Sequence, residues 1–125
     1  MVIYVIQPLK PKYNIFRFIK NYFNYFNQQP SSPQISIRRT LFNIKQDTQN
    51  TYIIQPTNFS NDKKIIEHLR RKDRLGQIIL IANDIDYNYY FSNHLRLLGA
   101  IDTNDISNNH DFKIAFEPYL DYIFK

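Results

Sequence analysis

Few residues of this chain could do chemistry, and the most informative ones come in a repeated setting. Two short apolar runs, "IYVIQPL" from Ile3 and "YIIQPTN" from Tyr52, both stop at Gln-Pro, so Gln7-Pro8 and Gln55-Pro56 occupy equivalent places. A glutamine offers one acceptor oxygen and two N–H donors, which can orient a polar group. It cannot form an acyl phosphate, and it lacks the anionic oxygen that a hard cation such as Mg²⁺ prefers. Asp84 and Asp86 follow a third apolar run and could form an acidic site at its end, although Asp86 also suits the N-cap of a helix. His68, His94 and His110 are too widely spaced for a recognised zinc pattern, and His94 falls on an apolar helical face as a hydrogen-bonded residue at the core edge. With no Cys, the chain has no disulfide, thiolate nucleophile or sulfur-ligated metal, as suits a reducing compartment. Gly76 and Gly99 are its only glycines, which excludes a glycine-rich phosphate loop and a dinucleotide fingerprint, and there is no G-x-S-x-G elbow. The reading is a protein that is not an enzyme and that holds no cofactor or metal.

The elements that must position these residues alternate. Val2 to Ile6, Thr51 to Gln55 and Gln77 to Ala82 are apolar on both faces, as strands buried on both sides must be. Gln34 to Thr40 alternates like a half-buried strand, and Ala100 to Thr103 is short enough to be another. Between them, Pro11 to Phe26, Asp62 to Lys72 and Asp86 to Leu98 carry apolar residues at three- and four-residue spacing, with Pro11 in a first turn, Asp62 as an N-cap and Gly99 as a stop. Leu41 to Gln46 suits a short helix. Phe112, Phe116, Leu120 and Ile123 mark a last helix behind Asp111, which either kinks at Pro118 or begins near Ala115 with Pro118 in its first turn. The order βαβαβαβαβα predicts one α/β domain over residues 1–125, with a parallel sheet covered on both faces.

Charge and length narrow the partners. The net charge of +5 is uneven: residues 1–60 hold seven Lys/Arg against Asp47, net +6, and residues 61–125 hold nine against ten acids, net −1. The basic half could face an acidic partner or phosphates, but no run is as dense as a nucleic-acid-binding arm. Arg70, Arg71 and Lys72 complement the dipole at the end of their helix. The apolar runs are far shorter than the roughly 20 residues of a membrane span, and no secretory signal is visible, so the expected location is cytoplasmic.

In length, in helix spacing and in the stretches "EHLRRKDRLGQIILIAND" and "LRLLGAID", the chain resembles the response-regulator receiver domain, closest to receivers of LytTR-class transcription regulators. The resemblance implies a doubly wound, flavodoxin/CheY-like sheet of order 2-1-3-4-5, with Gln7 and Gln55 side by side at its switch point. It puts the family's Mg²⁺-binding acids on Gln7 and Pro8, its phospho-accepting Asp on Gln55, its hydroxyl on Ala82 and its Lys on Ile106. All five positions depart from the pattern, which implies a degenerate phosphoacceptor pocket and a domain that works without phosphorylation. The resemblance further implies a regulatory and dimerisation module whose contact face uses Tyr89, Tyr90, Arg96 and Leu97, at least one of Tyr87, Tyr89 and Tyr90 being exposed on a helix. DNA would be bound only by a separate domain beyond Lys125. A stand-alone adaptor for a signalling protein is the alternative.

Overall fold

The computed structural model describes residues 2–26, 34–39, 49–56 and 62–124. The expected helix over Leu41 to Gln46 lies outside them. The elements are β1 (Val2–Ile6), α1 (Ile15–Phe26), β2 (Gln34–Arg38), β3 (Asn50–Ile54), α2 (Asp62–Lys72), β4 (Gln77–Ala82), α3 (Tyr87–Ser92), β5 (Gly99–Asp102), a 3-10 turn (Thr103–Asp105) and α4 (Asn109–Phe124). All four strand pairings are parallel, in the order β2-β1-β3-β4-β5. This is the doubly wound α/β fold that the alternation predicts, and the order reverses between β1 and β3.

Side-chain alternation divides the core in two. Ile3, Val5, Ile53, Ile79, Ile81 and Ile101 pack with Ile15 and Ile19 of α1 and Phe112, Phe116 and Leu120 of α4. On the other face Tyr4, Tyr52, Ile54, Ile78 and Leu80 meet Ile66 and Leu69 of α2 and Tyr90 of α3. Burying one such aliphatic side chain contributes about 1.5–3 kcal/mol, so strands apolar on both faces are held in the middle of three layers. Among the described residues no helix is long and apolar enough to cross a membrane.

Several boundaries differ from the sequence expectation, each for a local reason. Helix α1 starts at Ile15 rather than in the turn of Pro11, because Asn14 caps it by accepting from the Arg17 N–H at 3.3 Å. Helix α3 stops at Ser92 instead of running to Leu98. His94 is exposed with φ 55°, not a core-edge residue, and the Leu98 N–H donates to the Ile78 carbonyl at 2.7 Å, drawing this stretch onto β4. Gly99 opens β5 rather than stopping a helix; a Cβ there would meet the ring of Tyr119. Asp62 is the first residue of α2 rather than its N-cap. Helix α4 begins at Asn109, with Asn108 accepting from the Asp111 N–H at 2.9 Å, and runs through Pro118. Pro118 and Ile114, four residues earlier, are both exposed, so the carbonyl that proline leaves without an N–H lies on the solvent side.

Candidate functional site at the carboxyl end of the sheet

Strands β1 and β3 are paired in register up to Ile6 and Ile54, and the ladder continues: the Gln55 N–H donates to the Ile6 carbonyl at 2.8 Å and the Gln7 N–H to the Arg38 carbonyl at 3.1 Å. Gln7 and Gln55 therefore stand together where the winding reverses, one step beyond the sheet and on the α1/α4 side. Both side chains are engaged with the chain's own β1–α1 loop. Gln55, only 5% exposed, donates from Nε2 to the Tyr13 carbonyl at 2.7 Å and accepts at Oε1 from the Tyr13 N–H at 3.1 Å. Gln7 accepts at Oε1 from the Ile15 N–H at 3.1 Å and donates from Nε2 to Asn14 Oδ1 at 3.4 Å. The loop is closed from above by the buried Tyr13 ring, stacked on Phe112 with centroids 4.5 Å apart and planes 5° from parallel. Burial, and then Asp111, raise the pKa of the Tyr13 phenol.

The other positions carried over from the resemblance do not join the two glutamines in a polar cluster. Pro8 is half-buried in the loop. Ala82 ends β4, paired with Asp102, and packs into the α2/α3 core on the opposite face of the sheet. Ile106 packs against the α1/α4 core. What the arrangement does chemically is satisfy backbone groups, using amide side chains in place of a neighbouring strand.

A second polar cluster holds the adjoining β4–β5 edge. Asp102 accepts from the Asp84 N–H at 3.2 Å and the Asn104 N–H at 3.0 Å through Oδ1, and from the Ile85 N–H at 3.1 Å through Oδ2. Asp84, with φ 52°, accepts from the Asn104 amide, and Thr103 Oγ1 bonds Asn83 Oδ1. Asp86 caps α3 by accepting from the Tyr89 N–H at 3.1 Å and pairs with Lys63 at 3.1 Å. These aspartates tie loops. Among the described residues no group of three or more His, Cys, Asp or Glu side chains is placed to hold a metal ion. His68 and His110 are exposed, on α2 and in the first turn of α4.

The candidate contact face needs correction. Tyr90 is buried in the α2/α3 core with its hydroxyl donating to Asp62, and its pKa is raised by burial first and by that carboxylate second. Tyr89 is half-buried, edge-on to Tyr90 and under the Lys63 ammonium, while Leu97 packs against the core. Arg96 is exposed, its guanidinium donating to the Arg74 carbonyl at 3.2 Å. The exposed aromatics of α3 are Tyr87, at 55%, and Phe91, at 85%, one turn apart on a single side of the helix.

Tyr13, Asn14 and Asp102 did not stand out in the sequence. Asn14 could have been found, since Asn just before the first periodic apolar residue is an N-cap signal. "DTN" after a short apolar run is likewise a turn signal for Asp102. Nothing in the sequence marks Tyr13 as the partner of Gln55, 42 residues away. Comparison of the chain with protein-family models, with curated proteins and with solved structures finds no match in any of the three.

Proposed function

We propose that this chain is a receiver-like regulatory domain that works without phosphorylation, through protein–protein contact, as a homodimer or with a signalling partner. Any contact with DNA is assigned to a separate C-terminal domain. The observation that carries this reading is the double hydrogen bond between Gln55 and the Tyr13 backbone. The spot where a phospho-accepting carboxylate would stand holds a buried amide whose donor and acceptor are both used by the β1–α1 loop. Phosphoryl transfer needs an accessible nucleophile in line, and a buried, hydrogen-bonded amide at this position supplies none. The exposed pair Tyr87 and Phe91 supports contact through α3, because neighbouring exposed aromatics are enriched at interfaces.

The test is an amide NMR titration with Mg²⁺ and then beryllofluoride, with sedimentation in the same buffers. Unmoved resonances at Gln7, Gln55 and Ala82, with an unchanged association state, are the expected result. Shifts at those residues accompanied by dimer formation would overturn the proposal and send attention to Asp84.

A further inference from the structure

At the opposite end of the sheet from the glutamines, four arginines converge. The half-buried Arg70 guanidinium donates from Nη1 to the Gly76 carbonyl at 2.6 Å, the Arg74 carbonyl at 3.3 Å and the Asp73 carbonyl at 3.4 Å, and from Nη2 to the Arg96 carbonyl. Arg70 therefore staples the end of α2 to the chain entering β5, bringing the side chains of Arg74 and Arg96 to the same place. Arg71 stands beside them, exposed on α2. Among the described residues no carboxylate lies within ion-pair distance of any of these four guanidinium groups, and Arg70 Nε is buried without a hydrogen-bond partner. Burial first, and then the charge of Arg96, lower the Arg70 pKa, against an opposing pull from Asp73 and Tyr52.

Between them runs a shallow groove of about 480 Å³, open to solvent and lined by Glu67, Arg70, Arg71, Arg74, Asn93 and Leu95. Its lining is mixed in a way that selects among anions. Guanidinium forks match carboxylates in bidentate fashion. Asn93 spends its Nδ2 on the Tyr89 carbonyl at 2.8 Å and keeps its oxygen for an incoming N–H. Leu95 offers an aliphatic contact. Glu67 opposes a ligand with an unbroken row of phosphates, whereas a peptide can place a neutral residue beside it. An open groove also does not bury most of a small ligand, as small-molecule sites do.

We propose that this arginine groove is a docking site for an acidic segment of a protein partner, in which spaced Asp or Glu side chains engage Arg71 and Arg74. The proposal rests on the reading of the domain as a module acting through protein contact, and names the surface and the chemistry of the partner.

A fluorescent peptide of about twelve residues repeating Asp-Leu-Glu is the probe, with a Lys-Leu peptide and a single-stranded oligonucleotide of similar length as comparators. The expected result is binding of the acidic peptide with amide shifts at Arg71, Arg74, Asn93 and Leu95. Raising the salt from about 50 to about 300 mM, or making Arg71→Glu with Arg74→Glu, should each weaken it by about tenfold or more. Both exposed arginines can be reversed without disturbing the core, and the milder Arg71→Ala with Arg74→Ala gives a smaller loss of the same sign. Equal binding of the basic peptide, shifts elsewhere, or no effect of the reversals overturns the proposal, and tighter binding of the oligonucleotide assigns the groove to a phosphate backbone instead. Failure here with unmoved beryllofluoride spectra removes only the groove, whereas beryllofluoride shifts remove the phosphorylation-independent reading itself.

Discussion

Gln55 and Tyr13 pair as two strand residues would, the side-chain amide of one exchanging hydrogen bonds with both backbone groups of the other at 2.7 and 3.1 Å. The amide acts as a detached piece of backbone. It lets the β1–α1 loop turn over the end of the sheet without leaving a buried N–H or C=O unpaired.

Gln55→Ala should therefore cost about 2–4 kcal/mol in urea denaturation, since two buried backbone groups lose their partners. Gln55→Glu is more discriminating. Its ionised carboxylate can accept from the Tyr13 N–H but has no proton for the Tyr13 carbonyl, so folding raises its pKa above the unfolded value of about 4.3. The native state then holds its proton more tightly, and the variant matches the parent below about pH 4 and falls behind as pH rises from there to 7. Equal deficits at both pH values would contradict this account.

Tyr22 sets an alkaline limit. Its buried hydroxyl donates to Asp121 Oδ1 at 2.8 Å, and burial first, with Asp121 second, pushes its pKa up to about 12. A folded pKa raised above the unfolded 10.0 means that this stability is complete below pH 10 and is lost as pH rises from there to about 12. Tyr22→Phe should cost about 1 kcal/mol at pH 7 and flatten the decline, read by chemical denaturation across that range.

A Cβ on Gly99 would meet the outer ring atoms and hydroxyl of Tyr119, which must shift to admit it. Gly99→Ala should destabilise the domain by about 1–3 kcal/mol. Combining it with Tyr119→Ala should cost less than the two single changes added together, a coupling that thermal melts of all four proteins would read.

Asp102 holds three N–H groups of the loops after β4 and β5. Asp102→Ala should cost about 1–3 kcal/mol and speed amide exchange at Asp84, Ile85 and Asn104 before it affects β1 or β3. Uniform acceleration across the sheet would mean that the cluster is part of the global fold rather than a local clamp.

Where the determinants are local and periodic, the sequence by itself decided the structure. The runs VIYVI and QIILIA are short, rich in β-branched residues and apolar on both faces, as interior strands are, so the three layers and the parallel sheet were legible, as was α2 with its stripe of Ile65, Ile66 and Leu69. The Gln-Pro repeat also announced two strand ends in equivalent places. Where a segment's fate depends on a partner distant in the chain, only the tertiary structure decided it. Helical spacing through Leu98 lost to the hydrogen bond that brings Leu98 to Ile78. Tyr89 and Tyr90 are neighbours with the same local propensity, and it is Tyr90 that enters the core, where its hydroxyl meets Asp62 of another helix. The arginine groove joins residues of α2 and Arg74 to Asn93 and Leu95, and no spacing rule within either stretch brings them together. Periodicity records which face of an element meets the core, whereas a polar site is assembled by chain segments whose separation in sequence carries no periodic signal.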